Sequence, residues 1–195
     1  MLLHTEERPS EWIRRFAPLV PARGRVLDLA CGAGRHTRLL ADRGCRVVAI
    51  DREPRLDEDL TSRRDVDVRR ADLEQGAWPF GGERFDAVIV TNYLHRPLFA
   101  HLLAALAPGG VLLYETFALG NAAFGKPANP AFLLSPRELL DAFGAELRVV
   151  AFEDGYAATP RPAMVQRIAA VKPAADGTVV PTQVALHPVL VRARL

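Results

Sequence analysis

Val26-Leu27-Asp28-Leu29-Ala30-Cys31-Gly32-Ala33-Gly34 decides the reading of this chain. The stretch takes a nearly all-apolar strand, Arg25 to Ala30, into a glycine-containing turn. Arg35 to Arg43 then follows a helical period, with Leu39 and Leu40 inward and Gly44 as the stop. A buried strand that turns directly into a helix aims free backbone N–H groups at one spot, and glycine lets that backbone approach a ligand closely. Taken alone, Gly32-x-Gly34 fits a nucleotide site and a turn that binds nothing equally well.

Outward from this turn, apolar runs alternate with helical segments. Ser10 is a good N-cap for a first helix carrying Trp12, Ile13 and Phe16 on one face. Arg46 to Ile50 reads as a second strand ending at Asp51, with Pro54 placed to open the next helix. Val66 to Arg70 is a third strand before Asp72, and Phe85 to Thr91 a fourth that leads into Asn92-Tyr93-Leu94-His95. Leu98 to Leu106 is a helix stopped by Pro108-Gly109-Gly110, and Val111 to Thr116 is a fifth strand. Ser135-Pro136 opens a helix through Phe143, followed by strand candidates Glu146 to Glu153 and Met164 to Val171. Past Pro173, Val179-Val180 and Val184 to Leu186 suggest an added edge strand. The alternation predicts an α/β fold in one domain over 1–195, a mostly parallel sheet with helices on both faces. Phe117 to Leu134 keeps no period and is rich in Gly, Asn, Ala, Pro and Phe, which marks 117–134 as a substrate loop or lid.

Composition narrows the classes. The 195 residues are 49% hydrophobic and 25% charged, as in an ordinary globular domain. No apolar run reaches the roughly 18 residues that would suggest a membrane span, and the start lacks a basic region followed by an apolar stretch. A cytoplasmic protein is expected. Cys31 and Cys45 form neither a CxxC pair nor a zinc spacing, so no metal and no disulfide is expected. With a net charge of +2, and Arg63-Arg64 and Arg69-Arg70 interleaved with acids, a nucleic-acid partner is not indicated, though charge does not exclude one. The sequence leaves the oligomeric state open.

Polar residues recur at the carboxyl ends of successive strands, where open α/β sheets bind ligands: Asp28 before the turn, Asp51, Asp72 and Asn92. All four are expected to line one crevice. A carboxylate at Asp51, with Arg52 beside it, suits the two hydroxyls of a ribose, and Asp72 suits an adenine amino group.

These residues resemble the class I S-adenosylmethionine-dependent methyltransferases. Asp28-Leu29-Ala30-Cys31-Gly32-Ala33-Gly34 is similar to their first motif. Asp51, 23 residues beyond Asp28, matches their ribose-holding acid, and Asp72-Leu73 resembles their adenine-contacting pair. Phe85 to Asn92 and Leu106 to Leu112 resemble the fourth-strand motif and the turn into the fifth strand. Ala30 stands where many members have glycine. Tyr114-Glu115-Thr116-Phe117, Gly120-Asn121 and Phe124 to Pro130 resemble a small bacterial subgroup near the tellurite-resistance type. The resemblance implies a Rossmann-like sheet of seven strands with the last antiparallel. It also implies S-adenosyl-L-methionine as cofactor, held by Asp28, Ala30, Cys31, Gly32, Gly34, Asp51, Arg52, Asp72, Leu73 and Asn92, with Asp28 orienting the amino-acid end.

Methyl transfer from a sulfonium needs mainly an acceptor held in line, and a base only if the acceptor arrives protonated. His95 and Tyr93, following the fourth strand near the expected methyl end, are candidates, with a hydrogen-bonded loop histidine as the other reading of His95. Glu115, ending the fifth strand, suits positioning or deprotonating an acceptor, or pairing with an arginine. The expected acceptor is unidentified, a small molecule ahead of a nucleic acid. Two alternatives stand beside this: a non-catalytic cofactor-binding sensor or partner subunit, and a nicotinamide-dependent oxidoreductase. Against the latter, Thr37 occupies the third glycine position of the dinucleotide fingerprint.

Overall fold

The computed structural model describes residues 8–174 and 176. Helix α1 (Glu11–Phe16) starts as its sequence predicts: the Ser10 hydroxyl accepts from the Trp12 and Ile13 N–H groups, and Trp12, Ile13 and Phe16 are buried. Each such apolar side chain taken out of water contributes about 1.5–3 kcal/mol. Then come β1 (Arg25–Leu29), α2 (Arg35–Asp42), β2 (Arg46–Asp51), α3 (Glu58–Thr61), β3 (Val66–Arg70) and β4 (Phe85–Thr91). The chain continues through α4 (Phe99–Ala105), β5 (Leu106–Phe117), α5 (Glu138–Phe143), β6 (Arg148–Ala157) and β7 (Ala163–Val171).

The seven strands form one sheet in the order β3-β2-β1-β4-β5-β7-β6. β7 runs antiparallel to both β5 and β6, and the pairs among β1 to β5 are parallel. This is the Rossmann-like seven-stranded arrangement that the resemblance implied. Alternate residues of the strands feed two cores. One face packs Leu27, Leu29, Val88, Val90 and Leu112 against Leu102, Leu139 and Phe143 of α4 and α5. The other packs Val26, Val47, Ile89 and Leu113 against Trp12, Ile13, Phe16, Leu40 and Ala41 of α1 and α2. β1 pairs with both β2 and β4, Leu29 opposite Ile50 and Val90, so the strand order reverses beside β1 and opens a crevice at its carboxyl end.

Several boundaries differ from the sequence reading for local reasons. Pro54 does not open α3. Asp57 does, its side chain accepting the Leu60 N–H at 2.9 Å while Arg38 grips the same carboxylate. Pro108-Gly109-Gly110 is not a stop before β5: pairing already begins with Phe85 opposite Leu106, and residues 107–110 bulge before Val111 pairs with Ala87. Gly110 is required there, since a Cβ would meet the carbonyl oxygens of Ala107 at 2.8 Å and Phe85 at 3.0 Å. α5 begins at Glu138 rather than at Ser135-Pro136, because Glu138 folds back to accept the Ser135 N–H. β6 extends from Arg148 to Ala157, later than expected.

The 117–134 stretch is a built loop. Ala118 and Leu134 bridge, Asn121 is buried and donates to the Pro127 carbonyl while accepting the Met164 N–H, and 121–123 and 130–132 make 3-10 turns. The candidate strands at Val179-Val180 and Val184 to Leu186 lie outside the described residues. Among the described residues no helix is long and apolar enough to cross a membrane.

Candidate functional site

The turn between β1 and α2 is built from left-handed residues: Ala30 (φ 56°), Gly32 (φ 56°) and Gly34 (φ 77°). The two glycines serve different ends. A Cβ on Gly34 would meet Leu56 Cγ at 2.8 Å and Leu60 Cδ1 at 3.0 Å, so this glycine lets α3 close against the turn. A Cβ on Gly32 would meet nothing within 4 Å, so the turn stands open there. Asp51 stitches the turn to β2. Its Oδ2 accepts the Gly32 N–H at 3.0 Å and its Oδ1 accepts the Glu53 N–H at 2.9 Å, while the Cys31 N–H donates to the Ile50 carbonyl. Each carboxylate oxygen keeps a second lone-pair direction for a hydroxyl donor.

Beside the turn lies a cleft of about 240 Å³ lined by Ala30, Asp51, Arg52, Ala71, Asp72, Leu73, Glu74 and Tyr93. A second cleft of about 280 Å³ adjoins it across Leu73 and Glu74 and is walled by Trp78, His95, Pro97 and His101, the Trp78 and His101 rings stacked at 5.1 Å.

The structure therefore distributes the expected site residues. Asp51, Arg52, Asp72, Leu73 and Ala30 share the first cleft. Asp28 is buried on the α2 side of the sheet and not in that cleft. Its carboxylate accepts from the Thr37 hydroxyl at 2.6 Å, and burial raises its pKa to about 6 although Thr37 and Arg35 pull the other way. Gly32, Gly34 and Cys31 form the turn itself, with burial pushing the Cys31 thiol well above its usual range. Asn92 is exposed in a left-handed conformation, with its N–H on the Glu115 carbonyl.

The three residues read as catalytic do not meet. Tyr93 belongs to the cleft with Asp51 and Asp72, and His95 to the neighbouring one. Glu115 is buried and ion-paired with Arg167 at 2.5 Å, the arginine reading of the two that its sequence position allowed. Arg167 faces Glu115 across β5–β7 and Glu153 across β6–β7, giving a cross-strand ladder that Arg15 of α1 joins at 3.8 Å.

Two buried side chains of α2 are given no site role by the sequence. Thr37 holds Asp28. His36 is buried, and its Nε2 accepts the Ser10 N–H, so its Nδ1 carries the proton and donates to Thr91 Oγ1 at 3.2 Å. Burial, with Arg35 nearby, lowers its pKa to about 3, so the ring is neutral. Their position in the first turn of the helix after the glycine turn was the available signal. Among the described residues no group of His, Cys, Asp and Glu is arranged to hold a metal.

Known methyltransferases resemble this chain in sequence and in fold. Residues 26–110, from β1 to the bulge that starts β5, match the family model of the methyltransferase domain. Over that stretch the chain is similar to methyltransferase domains. The chain is 38% identical over 117 residues to a trans-aconitate 2-methyltransferase of Paracidovorax citrulli, covering 55% of this chain and 44% of that protein. The chain spans a little under half the length of such relatives. Among solved structures, the chain superposes on TehB from Haemophilus influenzae with a TM-score of 0.62 at 17% identity, covering 80% of this chain and 60% of that one. It also superposes on 1,6-didemethyltoxoflavin-N1-methyltransferase from Burkholderia thailandensis, solved with S-adenosylhomocysteine. That match has a TM-score of 0.61 at 22% identity and covers 83% of this chain and 76% of that one.

Proposed function

We propose that the protein transfers a methyl group from S-adenosylmethionine to a small-molecule acceptor. The observation that carries the reading is the pairing of the open Gly32 turn with a cleft that holds both Asp51 and Asp72. The residues suit the cofactor. Asp51 has lone pairs free for ribose hydroxyls, and Asp72 lines the same cleft for an amino group. Asp28, outside the cleft and bonded to Thr37, acts on the site through the turn. Bound there, the cofactor supplies an electrophilic methyl on sulfur.

What this chain adds is positioning and exclusion of water, which together supply on the order of 7–11 kcal/mol in well-oriented reactions. His95 is the side chain we assign to taking a proton from an acceptor that enters protonated; Glu115 is committed to Arg167 and serves the sheet. The relatives named for trans-aconitate and ubiquinone biosynthesis methylation favour a small acceptor. Two buried free thiols, Cys31 and Cys45, suit the cytoplasm.

Incubating the full chain with methyl-labelled cofactor and the small-molecule fraction of a cell extract tests the proposal. Label should appear in a low-molecular-weight product and vanish with Asp51→Ala. Cofactor binding with no labelled product in any fraction would instead make the chain a binding subunit.

A further inference from the structure

Four large apolar side chains are exposed among the described residues, and they gather in one part of the fold: Leu119 at 43%, Phe124 at 45%, Phe132 at 51% and Tyr156 at 58%. Three belong to the 117–134 loop and the fourth to the end of β6. The two pieces are joined. The Phe124 and Tyr156 rings lie 5.3 Å apart, Tyr156 stands opposite Met164 on β7, and the Ala118 N–H donates to the Met164 carbonyl. A small core of Phe117, Leu133, Ala163 and Val165 ties the same loop to β7. Exposed apolar residues scattered singly are ordinary, whereas a group of them on one built loop marks a contact surface.

The charge of this rim is one-sided. Residues 117–134 and 156–164 contain Lys126 and Arg161 and no Asp or Glu. Carboxylates just beyond these stretches are already engaged: Glu138 by Arg96, Asp141 by Arg137, Glu153 by Arg15 and Arg167, and Asp154 by the Arg137 N–H. Arg161 lies over the Phe117 ring at 5.6 Å, Lys126 is exposed, and neither pairs with a carboxylate among the described residues. The rim also opens at the site's end of the sheet. Glu115 of β5 stands opposite Thr91 and accepts the Asn92 N–H, and two residues later Phe117 begins the loop.

We propose that this rim is the docking surface of the methyl acceptor and that the acceptor is a ring-bearing anion, its ring against Phe124, Phe132 and Tyr156 and its anionic group toward Lys126 and Arg161. This rests on the methyl-transfer reading above and gives that acceptor a chemical class. An uncharged or cationic acceptor would leave both cations unanswered.

Calorimetric titration of the full chain, with and without S-adenosylhomocysteine, tests this with naphthalene-2-carboxylate and the uncharged naphthalene-2-methanol as probes. The carboxylate should bind about 5-fold more tightly than the alcohol. Lys126→Met with Arg161→Met should erase that preference, and Phe124→Ser with Tyr156→Ser should weaken both probes. Each double variant should keep the wild-type melting temperature and affinity for S-adenosylhomocysteine. Equal binding of the two probes by the wild type, binding of neither, or variants that change nothing overturns the proposal. So does a dimer in sedimentation that Phe124→Ser with Tyr156→Ser splits, or co-sedimentation with phosphatidylglycerol vesicles that the same variant abolishes, since the rim would then serve a second copy or a lipid surface. If the wild type binds the probes but not S-adenosylhomocysteine, the cofactor reading falls and the acceptor role with it.

Discussion

Thr37 Oγ1 donates to Oδ2 of Asp28 at 2.6 Å, and the two side chains are sealed between β1 and α2 under the cofactor turn. A carboxylate in that position is expensive. Burial raises its pKa from 3.8 to about 6, so the folded state holds its proton more tightly than the unfolded one does. The contribution of Asp28 to stability is then fully favourable below pH 3.8 and is lost as pH rises through about 6. By about pH 7.5 the ionised group costs on the order of 3 kcal/mol. Asp28→Asn, which still accepts from Thr37, should raise the ligand-free melting temperature at pH 7.5, with the gain fading toward pH 4. The same variant should bind S-adenosylmethionine about tenfold more weakly, since the turn loses a buried carboxylate. Melting curves across pH beside a cofactor titration check both halves.

His36 carries the opposite sign. Its folded pKa of about 3 lies below the ordinary 6.5, so the neutral ring stabilises the fold above pH 6.5, and that stability drains away as pH falls toward 3. At about pH 4.5 the loss should reach about 2–3 kcal/mol. Between pH 6 and 4 it opposes the gain from Asp28, and single variants separate the two. His36→Gln should flatten the acid limb of a chemical-denaturation series. An unchanged limb would place the acid sensitivity elsewhere.

The left-handed turn makes two opposite predictions. Ala30 sits at φ 56°, where a Cβ is strained, so Ala30→Gly should stabilise by about 0.5–1 kcal/mol. Gly34→Ala adds a Cβ at φ 77° against Leu56 and Leu60, and should cost about 2–3 kcal/mol and loosen α3 from the turn. Urea denaturation of the two variants distinguishes strain from packing.

Arg167 is the counter-ion that lets Glu115 stay buried in β5. Arg167→Met strands that carboxylate and should cost about 3 kcal/mol. The double variant Glu115→Gln with Arg167→Met should recover much of this, so the cycle will be strongly non-additive. If Glu115 instead served the acceptor, Glu115→Gln alone would abolish labelled-methyl transfer while Arg167→Met spared it.

Much of the sheet was legible because its strands are short apolar runs bounded by turn residues: β3 and β4 begin and end where their sequences predict, and the glycine turn announces itself. Boundaries went astray where a long-range contact overrules local preference. Arg38 and Asp57 displace the start of α3 past Pro54, and the Phe85 carbonyl dictates the glycine of the β5 bulge. Within the site, Asp51 and Asp72 were readable from strand ends, since the topology brings such ends together. Asp28 was not placed correctly, because the side to which a strand residue points depends on register with β2 and β4. Tyr93 and His95, two residues apart, enter different clefts for the same reason: the segment after β4 turns at Asn92, and nothing in its composition shows where.

The turn at Asp28 to Gly34 and the Asp51–Asp72 cleft are proposed to form one S-adenosylmethionine site. Isothermal titration of the full chain with S-adenosylhomocysteine, set beside Asp51→Ala and a nicotinamide dinucleotide, tests it most directly. The wild type should bind one-to-one, Asp51→Ala should lose about tenfold or more in affinity with the fold retained, and the dinucleotide should give no response. Tight binding of the dinucleotide without any response to S-adenosylhomocysteine would contradict it.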